Sequence, residues 1–346
     1  MIFFGKSAQL TFDIILFIYL KIGLLHLFYI SLSYRGEVTM SKFIVAGITQ
    51  LETIVKVKEI PIKYEPYTGE RDTIYIAAGG DAFNESLALK WLGNDVEFMT
   101  VVGENEDLRI FNPSNREVTL STEYVLPIIK ETPMEVLLYD TRRKAQRFED
   151  LKDIRNASYD MMLVDPLVPS CDMMVLSNVN FCRPFISRAK DNNKKLAVKI
   201  HSYKRDKEIY NEDFLKNADI IYFNDNTIED DPYDFVKEMA GKYDPEIIVL
   251  GQGENGVLIY DKYKDFSAHY NAVNSKQIVN TAGAGNALFA CFLHYFLKTG
   301  DSKISIHKAL LFASNYIGYM GTSNGFMTEE ELEHWDNLIW NPRNAM

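Results

Sequence analysis

Cysteine is scarce in this chain: Cys171, Cys182 and Cys291 are the only three in 346 residues, and none sits in a CxxC or other metal-ligand spacing. That excludes a disulfide framework and a cysteine-based zinc module. It fits a reducing compartment, in which each thiol packs as a small hydrophobe. The six histidines form no HExxH or similar pattern, so no zinc site is readable. There is no long Lys/Arg block and the net charge is −11, which argues against nucleic acid as a partner. Small anionic substrates stay open, because a local loop can override the global field. After Met40 there is no internal repeat, low-complexity tract or Pro/Gly-rich linker, so repeat arrays and strings of domains are set aside. The acidic residues are scattered, and a glycosidase pair of carboxylates is not readable.

What remains is an ordinary globular composition, 47% hydrophobic and 25% charged, with enough length for one large α/β domain or two small ones. The first 39 residues differ from the rest. Leu10–Leu32 is strongly apolar but carries Asp13, Lys21 and His26. A membrane anchor wants about 20 apolar residues with few charges. No small-x-small cleavage site follows the run, so a signal peptide fits worse. A third reading is a mis-assigned start: Arg35-Gly36-Glu37 back-translates to a purine-rich run just ahead of Met40, as a ribosome-binding site would. The expectation is therefore an apolar leader over 1–39 and a domain over 40–346. The location is then cytoplasmic, or at the membrane if residues 10–32 are an anchor.

From Met40 the chain alternates. Strands are expected at Phe43–Ala46, Val96–Val102, Met173–Ser177, Leu196–Ile200, Ile220–Phe223 and Ile247–Leu250. Helices are expected at Ala82–Leu92, Arg183–Asn192 and Pro232–Gly241. Ala82, Leu87, Ala88 and Trp91 should lie near one face of the first helix. Strands alternating with helices indicate a mostly parallel sheet covered on both faces. The last third reads as helical, over Ala284–Lys298, Ile304–Met320 and Thr328–Ile339. Extended segments at Thr53–Val57 and Thr73–Ala77 form a small β extension, joined by residues near 127–148. Asp230-Asp231-Pro232 reads as a helix cap, since proline suits a helix's first turn.

Gly251-Gln252-Gly253-Glu254-Asn255-Gly256 is a literal GxGxxG after a strand. A dinucleotide site needs a helix next, with its N-terminus on the pyrophosphate. Here Val257–Asp261 follows, which reads as a strand, and the glycines become a hairpin turn.

Two other stretches carry chemistry. Thr281-Ala282-Gly283-Ala284-Gly285 lacks bulky side chains and runs into an apolar helix. Its backbone N–H groups, with the unpaired donors of the helix end, suit a phosphate. The bland alternative is a tight helix-entry turn. Gly79-Gly80 likewise opens a helix that carries Asn84 in its first turn, where polar groups can grip a hydroxylated ligand.

The pairing of these stretches, GGDAFNESLALKWLGNDVEFMTVVG (79–103) and NTAGAGNALFACF (280–292), resembles the two signatures of the PfkB carbohydrate kinases. ADIIYFNDNTIE (218–229), VLGQGENGVLIYD (249–261) and FASNYIGYMG (312–321) resemble further segments of that family in the right order. The resemblance spans Lys42–Leu338. It implies a ribokinase-like three-layer α/β sandwich with a small β lid near residues 53–77. It also implies transfer of the γ-phosphate of ATP to a hydroxymethyl group of a sugar or nucleoside. ATP and Mg²⁺ are the implied cofactors, with a monovalent cation as an optional third, and the lid is an implied homodimer surface.

Residue by residue, the resemblance puts Ala282, Gly283, Ala284 and Gly285 in an anion hole and Asn286 where the family's catalytic base, normally Asp, stands. Gly79, Gly80 and Asn84 would touch the substrate. Glu52 is the nearest counterpart of an early substrate-binding Asp. Asn224 or Asn226, with Glu229, would organise Mg²⁺; the NxxE spacing fits Asn226 and the distance from the strand fits Asn224. Gly253, Gly256 and Asn315 would border the nucleotide. An amide at 286 cannot take a proton at neutral pH. The resemblance is therefore compatible with a slowed kinase or with a kinase-fold binding protein.

Overall fold

The computed structural model describes residues 40–111, 117–142, 145–273 and 276–340; the apolar leader lies outside the described residues. In chain order the elements are β1 (Lys42–Ala46), β2 (Gln50–Lys56), β3 (Ile74–Gly79), α1 (Asp81–Trp91), β4 (Asp95–Gly103), β5 (Val125–Ile129), β6 (Met134–Tyr139), β7 (Ala145–Asp150), β8 (Met173–Ser177), α2 (Arg183–Asp191), β9 (Lys195–Lys199), α3 (Glu208–Asn217), β10 (Ile220–Asn224), α4 (Pro232–Tyr243), β11 (Ile247–Gly251), β12 (Val257–Asp261), β13 (Phe266–Tyr270), α5 (Ala284–Thr299), α6 (Ser302–Tyr316) and α7 (Glu329–Trp340).

Nine strands form one sheet in the order β13-β12-β11-β10-β9-β8-β1-β4-β5. Pairing is parallel from β11 through to β5 and antiparallel at β11–β12 and β12–β13. Buried runs such as Met173–Ser177 are what a parallel strand covered on both faces requires. Strand β1 shows how the two cores divide. Phe43 and Val45 pack into the cluster that holds Phe83, Phe289 and Phe312 of α1, α5 and α6. Ile44 and Ala46 pack into the other, with Phe185, Phe214 and Phe235 of α2, α3 and α4. The period of two in the strand thus makes three layers.

The GxGxxG stretch is a hairpin: β11 and β12 pair antiparallel across a short 3-10 turn, Gly253–Asn255. Asp231 caps α4, accepting from the N–H groups of Tyr233 and Asp234 at 2.9 and 3.2 Å, with Pro232 in the first turn. Helix α1 departs from the expected one-sided pattern. Asp81 through Leu89 are all buried, because α5 covers the face that periodicity alone would leave to water. Helix α3 and strand β13 have no counterpart among the expected elements.

A second, four-stranded sheet, β3-β2-β6-β7, stands at residues 50–56, 74–79 and 134–150. Its inner face places Ile54 and Leu137 against Ala282. Its outer face carries the row Ile76, Thr53, Val136 and Phe148, with Ile74, Ile76, Met134 and Phe148 exposed.

Candidate active site

The loop before α5 is built to leave donors free. Gly283 has φ +77° and caps the helix in the left-handed region, where a side chain would be strained and would also run into the Tyr316 hydroxyl. The N–H of Ala282 is taken by the Asn280 side chain at 3.0 Å, and that of Ala284 by the carbonyl of Thr281 at 3.2 Å. The first bond from the helix back to the loop runs from Ala287 to Gly283. The N–H groups of Gly283, Gly285 and Asn286 keep no hydrogen-bond partner among the described residues. They stand at the positive end of a 16-residue helix.

Asn286 is in the first turn of α5, 5% exposed, and its Oδ1 has no partner. Asn84, in the first turn of α1, is buried with an equally unpartnered Oδ1. Its Nδ2 lies 3.5 Å from where a Cβ on Gly283 would stand. Helices α1 and α5 therefore bring both asparagines to one loop. Asp81 stands next to the diglycine. Its Oδ1 takes a hydrogen bond from Lys199 Nζ at 2.7 Å. Its Oδ2 lies 3.2 Å from His201 Nδ1.

Glu52 is not a free acceptor. Its Oε1 accepts from the N–H of Gly80 at 3.0 Å and from Gln50 Nε2 at 3.3 Å, and its Oε2 from Thr322 at 2.6 Å. The carboxylate fills the space above Gly79, where any Cβ would collide with it. Burial, then the neighbouring Glu135, raises its pKa. Gln50 also reaches Glu135 at 2.5 Å, and Arg147 pairs with Glu135 at 3.0 Å.

Tyr222 of β10 reaches the loop from below. A Cβ on Gly285 would lie 2.6 Å from its hydroxyl, and one on Gly251 2.3 Å. The two glycines let a buried phenol stand between the hairpin and the helix start. Its pKa is pushed up, by burial first and then by Asp81, Asp225 and Glu85.

The charges beneath α1 form a connected group. Burial works against ionising Asp81, yet Lys199 and then His201 hold it well below the usual carboxylate range. Burial likewise disfavours the His201 cation, but Asp81 and Glu149 outweigh it and push the imidazole up to about 10. Glu149 of β7 lies 3.0 Å from His201 Nε2. Glu85, one turn beyond Asp81, is fully buried with an unpartnered Oε1, and burial pushes it up to about 8. At neutral pH Glu85 is mostly protonated, and two carboxylates balance two cations.

The remaining expected residues are dispersed. Asn224 ends β10 beside Gly251, and its side chain accepts from the N–H of Asn226 at 3.0 Å. Asn226 and Glu229 are exposed beyond it, while Asp225, which the sequence reading missed, is half-buried at the strand end. Gly253 faces open space, and Gly256 lies under the backbone of Tyr270. Asn315 donates to the carbonyl of Gly325 at 2.9 Å. Lys199, His201, Tyr222 and Thr322 were also missed. Each is an ordinary residue locally and gains meaning only from its partner. A cleft of about 560 Å³ lies nearby, lined by Tyr75, Ala78, Trp91, Tyr319 and Phe326, but the 282–286 loop does not border it. Among the described residues no group of three or more His, Cys, Asp or Glu could hold a metal, and no helix is long and apolar enough to cross a membrane.

Comparison with known proteins bears on the fold. Residues 217–329 match the pfkB family of carbohydrate kinases. A deoxyribokinase of Salmonella typhi is 23% identical, with 85% of this chain and 98% of that protein covered. A ribokinase of Dictyostelium discoideum is also 23% identical, over 83% and 98%. Among solved structures, a microbiome-derived acarbose kinase superposes with a TM-score of 0.72 at 18% identity, covering 85% of this chain and 98% of the other. Arabidopsis thaliana ribokinase complexed with ribose and ATP gives 0.69 at 13% identity over the same shares. The fold is ribokinase-like. The match over residues 217–329 and the ribokinase-like fold support the resemblance to PfkB carbohydrate kinases.

Proposed function

We infer that the protein transfers the γ-phosphate of ATP to a hydroxymethyl group of a sugar or nucleoside, at a rate limited by the amide at position 286. The observation that carries this reading is the pairing of free donors with free acceptors. Three unbonded N–H groups at 283, 285 and 286 suit a phosphate. Two buried oxygens lacking donors, on Asn84 and Asn286, suit the hydroxyl hydrogens of a polyol. Related proteins are named for ribose and deoxyribose phosphorylation, and one neighbour holds ribose and ATP.

In this reading residues 282–285 cradle the transferred phosphate, and Gly79, Gly80 and Asn84 hold the acceptor. Glu52 supports the diglycine from behind. Asn224 and Asp225, at the end of β10, would organise Mg²⁺, which supplies charge neutralisation on the phosphates when bound. Gly253, Gly256 and Asn315 border the nucleotide. The four-stranded sheet is the lid. Its exposed apolar face, Ile74, Ile76, Met134 and Phe148, is the surface through which a second copy would dimerise.

Without a base at 286, transfer rests on positioning and charge stabilisation alone, and losing a general base costs ~10²–10⁴-fold. The same amide favours a second reading, a kinase fold that binds ligand without useful turnover. The test is calorimetric titration of ATP and of a sugar and nucleoside panel, followed by ADP release with each ligand that binds. Binding with ADP release supports the kinase. Binding without it supports the second reading, and no adenine nucleotide binding defeats both.

A further inference from the structure

The ion-pair chain through His201 crosses from one sheet to the other. Lys199, at the end of β9, holds Asp81 at 2.7 Å. Asp81 lies 3.2 Å from His201, and His201 lies 3.0 Å from Glu149 of β7. The inner end is dry: the side chains of Asp81 and Lys199 are 6% and 10% exposed. The outer end is half-buried. His201 belongs to the main body, where its backbone N–H is fixed by Asn178 Oδ1 at 2.9 Å, and Asn178 in turn donates to Asn211 at 2.7 Å. Glu149 belongs to an edge strand whose six residues are all exposed and which, among the described residues, pairs with β6 alone. Strand β7 therefore has little apolar burial to hold it in place. The other half of the small sheet is secured otherwise, by Thr322 on Glu52 of the inner strand β2 and by Asn324 on the Tyr75 hydroxyl of the edge strand β3 at 3.0 Å.

We propose that His201 and Glu149 are positioning residues that fasten the β7 edge of the small sheet to the first turn of α1, holding that sheet across the acceptor site before any ligand binds. The functional half of this statement rests on the kinase reading above; the fastening itself does not. His201 stands between two carboxylates of opposite allegiance, Asp81 on the body and Glu149 on the small sheet. A cation there satisfies both at once. Replacing Glu149 by Gln removes the outer carboxylate and leaves the buried Asp81–Lys199 pair untouched. Sited on an exposed strand, this variant should fold as the parent does. Because Asp81 adjoins Gly79-Gly80, loosening the β7 edge alters the wall of the acceptor pocket first; the small sheet meets Ala282 through Leu137 and Ile54, one and two strands in from that edge. Acceptor binding should weaken more than nucleotide binding.

The test is amide hydrogen exchange on the full, ligand-free chain, comparing the parent with Glu149→Gln, Glu149→Asp and His201→Gln. Glu149→Gln and His201→Gln should speed exchange in peptides covering 134–150 by about tenfold. Peptides covering 43–46 and 173–177 should not change, and Glu149→Asp should restore part of the protection. Unchanged exchange at 134–150 in both disruptive variants overturns the proposal, as does a uniform rise along the whole chain. For ligands that are turned over, KM for the acceptor should rise severalfold more than kcat falls. If no ligand is turned over, the kinase reading fails while the exchange result still decides the fastening.

Discussion

The Thr322 hydroxyl donates to Glu52 Oε2 at 2.6 Å, joining residues 270 positions apart. The contact lies behind the diglycine, since the other oxygen of the same carboxylate holds the N–H of Gly80 at 3.0 Å. A strand of the small sheet, the start of α1 and the segment after α6 thus meet at one buried carboxylate. Glu52 acts here as a strut. An aspartate, one methylene shorter, would not span the same distance.

Thr322→Val should therefore destabilise the fold by roughly 1–2 kcal/mol, because it leaves a buried carboxylate oxygen short of a donor. Thermal unfolding of the parent and the variant measures this. No change in Tm would show that water replaces the hydroxyl at no cost.

Lys199→Met should cost roughly 3–5 kcal/mol, since it leaves the buried Asp81 carboxylate with His201 alone, beside a second acid, Glu85. The double variant Lys199→Met with Asp81→Asn should recover part of that loss. Denaturant unfolding of the two variants decides, and equal losses would show that the pair is not coupled.

Glu85 gives a pH dependence of definite sign. Its carboxyl is raised from an ordinary 4.5 to about 8. Between those values the unfolded chain ionises while the folded chain keeps its proton, so folding stability falls as pH rises. Below about 4.5 the effect vanishes, and above about 8 it is constant. Glu85→Gln should match the parent at pH 4.5 and be more stable at pH 8, by on the order of 2 kcal/mol or more. Equal stability at both values would show that Glu85 ionises freely in place.

Gly285→Ala should abolish nucleotide binding or weaken it by more than tenfold, because the added methyl would lie 2.6 Å from the Tyr222 hydroxyl. Tyr222→Phe removes that oxygen, leaving the nearest ring carbon at 3.3 Å. The double variant should then bind better than Gly285→Ala alone. Calorimetric titration of ATP into each variant distinguishes the outcomes.

Much of this was legible in the sequence. Apolar runs such as Met173–Ser177 and Ile247–Leu250 mark strands buried on both faces, and they fall at β8 and β11. The glycine-rich hairpin was separable from a dinucleotide site because a strand, not a helix, follows it. Helix α3 escaped because only Asn211, Phe214 and Leu215 face the core, too few for a helical period. Strand β13 escaped because FSAHY is a half-exposed edge. The site divides the same way. Gly283, Asn286 and Asn84 stand in local motifs and were readable. Asp81 with Lys199, 118 residues apart, and Glu52 with Thr322 are tertiary pairs, and periodicity records nothing of them.

The proposed kinase site at the 282–286 loop carries an amide, Asn286, where a carboxylate would serve. The direct measurement is ADP release with Mg·ATP across a panel of sugars and nucleosides, for the natural protein beside Asn286→Asp. The Asp variant should turn over a panel member ~10²–10⁴-fold faster than the natural protein. An Asp variant no faster than a natural protein that itself turns over would contradict this reading, placing the base at another residue.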